Sequence, residues 1–133
     1  RPVDQWALVE NHFYLERMPA NERDMVHQII FLDHEDAGPI GARLHGSRFR
    51  IFIDGLTWSR RGSELAIKVL QTEETHRGSF RAWRCAGKAP KPFELCLELQ
   101  EGDRTRRYFS RTDWVIDSVD EGRALSDSLM SRD

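Results

Sequence analysis

Three groups of residues in this 133-residue chain have types and spacing that could do chemistry. Asp33-His-Glu-Asp36 offers four metal-ligating side chains in a row. Consecutive residues cannot all turn toward one ion, and no second ligand set stands at helical spacing as in HExxH, so a solvated turn is expected. Arg81, Trp83 and Arg84, with Lys88 and Lys91, form a basic aromatic stretch of the kind that stacks bases in a positive groove. Alternation along 79–85 favours instead a strand with Trp83 turned into the core. Trp58, beside Arg60 and Arg61, is the best-placed aromatic anchor for a partner, because Trp and Arg dominate interface hot spots. Nucleophile candidates such as Ser59 or Cys96 have no base set beside them by any motif. His12, His27, His34, His45 and His76 are scattered without partner spacing. The chain reads as a non-enzyme that needs no metal and no cofactor.

Composition bounds the rest. With 39% hydrophobic and 32% charged residues, the chain suits one soluble globular domain of useful core size. No apolar run approaches the roughly 18 residues a membrane span needs, and no signal peptide opens the chain. The first residue, Arg1, is not Met, which fits a piece of a longer protein. Cys85 and Cys96 show no CxxC spacing, so reduced buried thiols in a nuclear or cytosolic protein are expected. Net charge is −2, unevenly spread: residues 43–111 hold 15 of the 20 Lys/Arg against 8 of the 22 Asp/Glu. Such a basic middle could meet phosphate, an acidic partner, or the acidic ends of this chain or a second copy, although solvated element faces are the simpler reading.

The elements that must position these groups follow from periodicity. Trp6, Val9 and Phe13 are spaced for a helix, making residues 1–25 a helical extension packed on a domain of 26–130. Val26 to Leu32 and Arg48 to Asp54 read as strands, able to form a hairpin across the 33–47 loop. Arg60 to Glu74 reads as a helix with Leu65, Ala66, Val69 and Leu70 on one stripe. Residues 79–85, 93–99 and 106–110 read as strands, and the prolines of Gly87-Lys-Ala-Pro-Lys-Pro92 keep that loop out of any central strand. Ser110 is the expected cap of a helix over 111–121, with Asp113 in its first turn and Gly122 as its stop. A last helical turn is expected over Ala124 to Met130, with Ser131 to Asp133 fraying.

Trp114-Val-Ile-Asp-Ser-Val119, after strand Arg106 to Ser110, resembles the last strand and last helix of a BRCT domain. There Trp114, Val115 and Val119 would be structural anchors, with the indole in the core. Ile29-Ile-Phe-Leu-Asp33, Asp36-Ala-Gly38, Phe49 to Ile53, Arg60-Arg61 and Ser63 to Leu70 extend the likeness toward the repressor-activator telomere protein type. The resemblance implies an α/β fold: a central, mostly parallel four-stranded sheet flanked by helices, with a reduced second helix. It implies a nuclear, non-catalytic protein-interaction module of a telomere or chromatin protein, partnered by another protein or a second copy. It also suggests a phosphopeptide-reading alternative using Thr57, Trp58, Ser59, Arg60 and Arg61, although the family's Lys-bearing helix has no counterpart. Nucleic acid is a less favoured partner, through the basic middle and Arg81, Arg84, Lys88 and Lys91; no membrane is expected.

Overall fold

The computed structural model describes residues 5–34 and 36–131, without the side chain of His34. A 3-10 helix, Gln5–Leu8, precedes eight strands. These are β1 (His12–Leu15), β2 (Val26–His34), β3 (Gly38–Gly46), β4 (Ile51–Arg61), β5 (Glu64–Val69), β6 (Thr75–Arg84), β7 (Leu95–Glu101) and β8 (Arg104–Ser110). A helix, α1 (Val119–Met130), follows. Each strand pairs antiparallel with the next, and β1 returns to β8 through Leu15↔Phe109, so the sheet closes into a barrel in chain order. Closure removes the unpaired edges that an open sheet exposes. The Ser110 hydroxyl, buried at that seam, donates to the Phe13 carbonyl at 2.6 Å.

The expected parallel BRCT-like sheet is therefore incorrect, and the resemblance falls with it. The expected strands at 26–32, 48–54, 79–85, 93–99 and 106–110 overlap β2, β4, β6, β7 and β8, with 48–50, 85 and 93–94 outside them, but every pairing is antiparallel. The supposed helix over 60–74 is the β4–β5 hairpin and the start of the next turn. Leu65, Ile67 and Val69 all point inward at period two, an alternation that outweighs the Leu65-Ala66-Val69-Leu70 stripe. The expected 33–47 loop contains β3.

At the other end of the chain, residues 111–118 form an irregular connection, and Ser118 rather than Ser110 caps the helix. Ser118 Oγ accepts from Glu121 N at 3.0 Å while Glu121 Oε1 accepts from Asp117 N at 2.8 Å, a near capping box eight residues later than expected. Trp114 lies half-buried outside the barrel, edge-on to Phe13 and Phe93, while Val115 is exposed and Val119 partly buried. The expected N-terminal helix is a 3-10 turn followed by a barrel strand. Val3, Asp4, Arg132 and Asp133 lie outside the described residues.

Alternation divides the side chains into two cores. Inside the barrel, Trp6 plugs one end against Phe31, Trp58 and Phe80, with ring centroids 5.3, 4.7 and 5.0 Å away. Ile29, Leu56, Ile67, Leu97 and Leu99 fill the space above it. Outside, Ile30, Leu32, Ala42 and Leu44 form a second apolar layer with Leu129 and Met130 of α1. Gly41 and Gly78 sit where strands bend too closely for a side chain: a Cβ would overlap the Ile30 carbonyl oxygen at the first and that of Gln100 at the second. Cys85 and Cys96 form a disulfide, Cα–Cα 6.0 Å, which corrects the expectation of reduced thiols. Their spacing of 11 residues carries no disulfide signature; the β6–β7 hairpin brings them together.

Candidate functional site

The barrel interior changes character along its axis. Registered partners on neighbouring strands share a face, so the rungs His27–His45–Phe52 and Ile29–Arg43–Asp54 both turn inward. Opposite them, Leu99–Arg106 and Leu97–Tyr108 do the same. Toward the Trp6 plug these rungs end in Phe31, Leu56 and Leu97, all buried and apolar. At the other end, a cavity of about 280 Å³ is lined by His27, Arg43, His45, Phe52, Asp54, Arg106 and Tyr108. The barrel thus has a dry aromatic floor and a polar, chargeable mouth.

Within the mouth the charges are partly matched. Arg43 Nη2 donates to Glu101 Oε1 at 2.8 Å, and the second oxygen of Glu101 faces His76 Nδ1 at 3.8 Å. Arg43 Nε is buried and has no hydrogen-bond partner among the described residues. Glu16 is taken up from outside by Arg17, 2.7 Å away, and accepts from His27 N at 2.6 Å. Arg106 forms no ion pair among the described residues, and neither does Asp54. What remains for a ligand is the Arg106 guanidinium, the Tyr108 hydroxyl, two imidazoles and one carboxylate, with Arg43 adding positive charge from the wall.

The protonation states follow from burial and neighbours. His27 stacks flat on His45, ring centroids 4.0 Å apart. Burial lowers the His27 pKa first of all; His45, Arg106 and Arg17 push the same way, and Glu16 opposes them. The Tyr108 phenol is raised by burial, with Arg43 and Arg106 partly offsetting that, so it stays a neutral donor at physiological pH. Tyr14, lower in the barrel, is raised well above its ordinary value by burial alone, and its hydroxyl donates to the Leu8 carbonyl at 2.8 Å.

None of the expected partner, phosphate or basic-patch residues lines this mouth; of the five histidines dismissed as scattered, His27 and His45 do. Trp58 is buried in the barrel, its indole N–H shared between the Leu32 and Ile40 carbonyls at 3.1 and 3.0 Å, so it is no exposed anchor. Thr57, Ser59 and Arg61 occupy the opposite face of β4 from Trp58 and Arg60, because successive strand residues point apart. The guanidinium of Arg60 lies 5.4 Å over the Trp6 ring. Ser59, Arg60, Arg61, Glu64 and Arg77 do line one surface cleft of about 250 Å³ at the β4–β5 turn.

Of the expected basic patch, Arg81 and Lys88 share an outer cleft of about 290 Å³ with Arg107 and Glu98; Arg84 and Lys91 do not line it. Trp83 turns outward into that cleft with Arg81 at 4.4 Å over its ring, correcting its expected place in the core. In the 33–36 turn, Glu35 and the side chain of His34 lie outside the described residues, and no metal-holding cluster occurs among the described ones.

The missed residues did leave one signal. Gly41, Arg43 and His45 alternate with Ile40, Ala42 and Leu44, a period-two pattern whose polar half points inward. Fold and site together define a closed up-and-down barrel with a ligand-sized polar mouth. No family model matches the chain, and no curated protein or solved structure matches it either.

Proposed function

We propose that this barrel binds a small organic anion in its open mouth and does not transform it. The observation that carries the reading is a pair of arginines, Arg43 and Arg106, on the lining of one concave site, where Arg106 forms no ion pair among the described residues. Tyr108 and the two imidazoles add hydrogen bonds, and Asp54 accepts from a donor on the ligand, such as a hydroxyl beside the acid group. At about 280 Å³ the cavity lies near the lower edge of small-molecule sites, roughly 300–1,000 Å³.

The test is titration with lactate and with inorganic phosphate at constant ionic strength, for the wild type and Arg106→Met. Charge-assisted hydrogen bonds contribute about 1.5–3 kcal/mol, so the variant should bind roughly tenfold or more weakly. Equal affinity of the two proteins, or no binding to either, would overturn the reading.

The telomere or chromatin interaction module rested on the BRCT resemblance, which the barrel removes. A protein or nucleic-acid partner keeps one supporting observation, the outer cleft with Trp83, Arg81, Lys88 and Arg107. A nucleic acid held there would be released steeply by salt, so affinity that stays flat between low and physiological salt would dispose of it. The Cys85–Cys96 bond favours an oxidising compartment over the nucleus, because cytosolic and nuclear thiols are kept reduced. Thiol titration of the natively isolated, unfolded protein tests that; two free thiols would return the nucleus to favour.

A further inference from the structure

The mouth has an unusual lip. Between β3 and β4, Arg48-Phe-Arg-Ile-Phe52 forms the tip of a hairpin at the open end. Phe49 and Phe52 are 62% and 53% exposed. Each ring carries an arginine: Arg48 lies 5.7 Å over Phe49 and Arg50 5.1 Å over Phe52. Phe52 belongs to two surfaces at once, because it lines the polar cavity and also stands out at the rim. Large aromatic rings left in water at the edge of a binding site mark a surface meant to be covered.

The rest of the rim narrows what covers it. The connections at this end, residues 16–25, 47–50, 70–74 and 102–103, carry four basic residues and six acidic ones. That balance gives no net attraction to an anionic membrane. Of the exposed apolar residues at this end, Phe49, Phe52 and Leu70, only Phe52 lines the cavity, and the floor below is closed by buried Ile29, Leu56 and Leu97. A ligand longer than the cavity must extend outward over this rim, and Phe52, which lines the cavity itself, is where its chain would leave, with Phe49 on the same hairpin tip.

We infer that the ligand class is an amphiphilic acid, held with its anionic head inside the mouth and its apolar chain laid over the Phe52–Phe49 lip. This rests on the anion-binding reading above and deepens it. The orientation is the reverse of a barrel that swallows the chain, because the polar side chains here lie above an already filled apolar interior.

The experiment compares lactate, 2-hydroxyhexanoate and 2-hydroxydecanoate, the last below its aggregation concentration, binding to the wild type and Phe49→Ser. Full burial of a methylene is worth roughly fourfold in affinity; chains lying half-exposed on a lip should gain about twofold for each methylene. Phe49→Ser should bind lactate like the wild type and lose most of the added affinity for 2-hydroxydecanoate. Lactate bound with no gain from chain length would overturn the amphiphile and leave the anion site standing. A gain that survives Phe49→Ser would also overturn it. If lactate, phosphate and both longer acids all fail to bind, both readings fall. Two further results would assign the lip to another occupant and count against the inference. One is a sedimentation mass that rises with concentration in the wild type but not in Phe49→Ser. The other is flotation with phosphatidylcholine vesicles that Phe49→Ser abolishes.

Discussion

His27 shows how one residue couples the mouth to stability. It accepts a proton less readily than a free imidazole, mainly because it is partly buried, with His45, Arg106 and Arg17 pushing the same way against Glu16. A folded-state pKa below the ordinary 6.5 means that the unfolded chain binds the proton first as pH falls. Stability from this residue is thus fully present above 6.5 and is lost as pH drops through 6.5 toward the folded value. Chemical denaturation of the wild type should show that decline, and His27→Gln should flatten it. A variant that declines as steeply as the wild type would mean that His27 titrates as freely folded as unfolded.

The same residue marks a limit of what could be read beforehand. His27 and His45 are 18 positions apart, and only the β2–β3 register stacks one on the other. Arg43 and Glu101 are 58 apart and meet across the barrel. Side-chain chemistry that depends on closure leaves no local spacing to find.

At the scale of elements, strands were legible wherever apolar and polar residues alternated, and illegible where a second pattern competed. Leu65-Ala-Ile-Lys-Val-Leu70 satisfies both periods; the Arg61-Gly-Ser63 turn, with Gly62 at φ 61°, settles it as a hairpin. β3 was hidden because Gly41, Arg43 and His45 are unusual residues for an inward face, and they are there to bend the strand and to build the mouth. The barrel's curvature at Gly41 and Gly78 gives a sharp test. Gly41→Ala or Gly78→Ala sets a methyl group against a neighbouring strand's carbonyl and should cost about 1–3 kcal/mol, as overpacking does. For a chain of this length each kcal/mol corresponds to roughly 3–6 °C in Tm. An unchanged melting temperature would contradict the close approach. Ser118→Ala, which removes the true cap of α1, should cost about 1 kcal/mol, and an unchanged melting temperature would contradict that cap.

For the whole molecule, sequence could supply strand content but not closure. The same set of strands would suit an open sheet, and the BRCT likeness drew on a Trp-aliphatic run that serves here as a half-buried brace beside Phe13 and Phe93. The disulfide was equally hidden, since two cysteines without a motif are compatible with either redox state. It staples the β6–β7 hairpin near the floor, away from the mouth. Removing it as Cys85→Ser/Cys96→Ser should lower stability by about 2–3 kcal/mol, the loop-closure effect for a short loop, while leaving lactate affinity unchanged. Loss of binding together with stability would show that mouth and floor are not independent.

The separation of a packed aromatic floor from an anion-taking mouth is tested most directly by following backbone and arginine Nε–H resonances during a phosphate titration. The expected result is saturable shifts at His27, Arg43, His45, Arg106 and Tyr108, with Trp6, Phe31 and Phe80 unmoved. Shifts concentrated instead at Arg81, Trp83, Lys88 and Arg107 would place the anion on the outer face and contradict the mouth as the binding site.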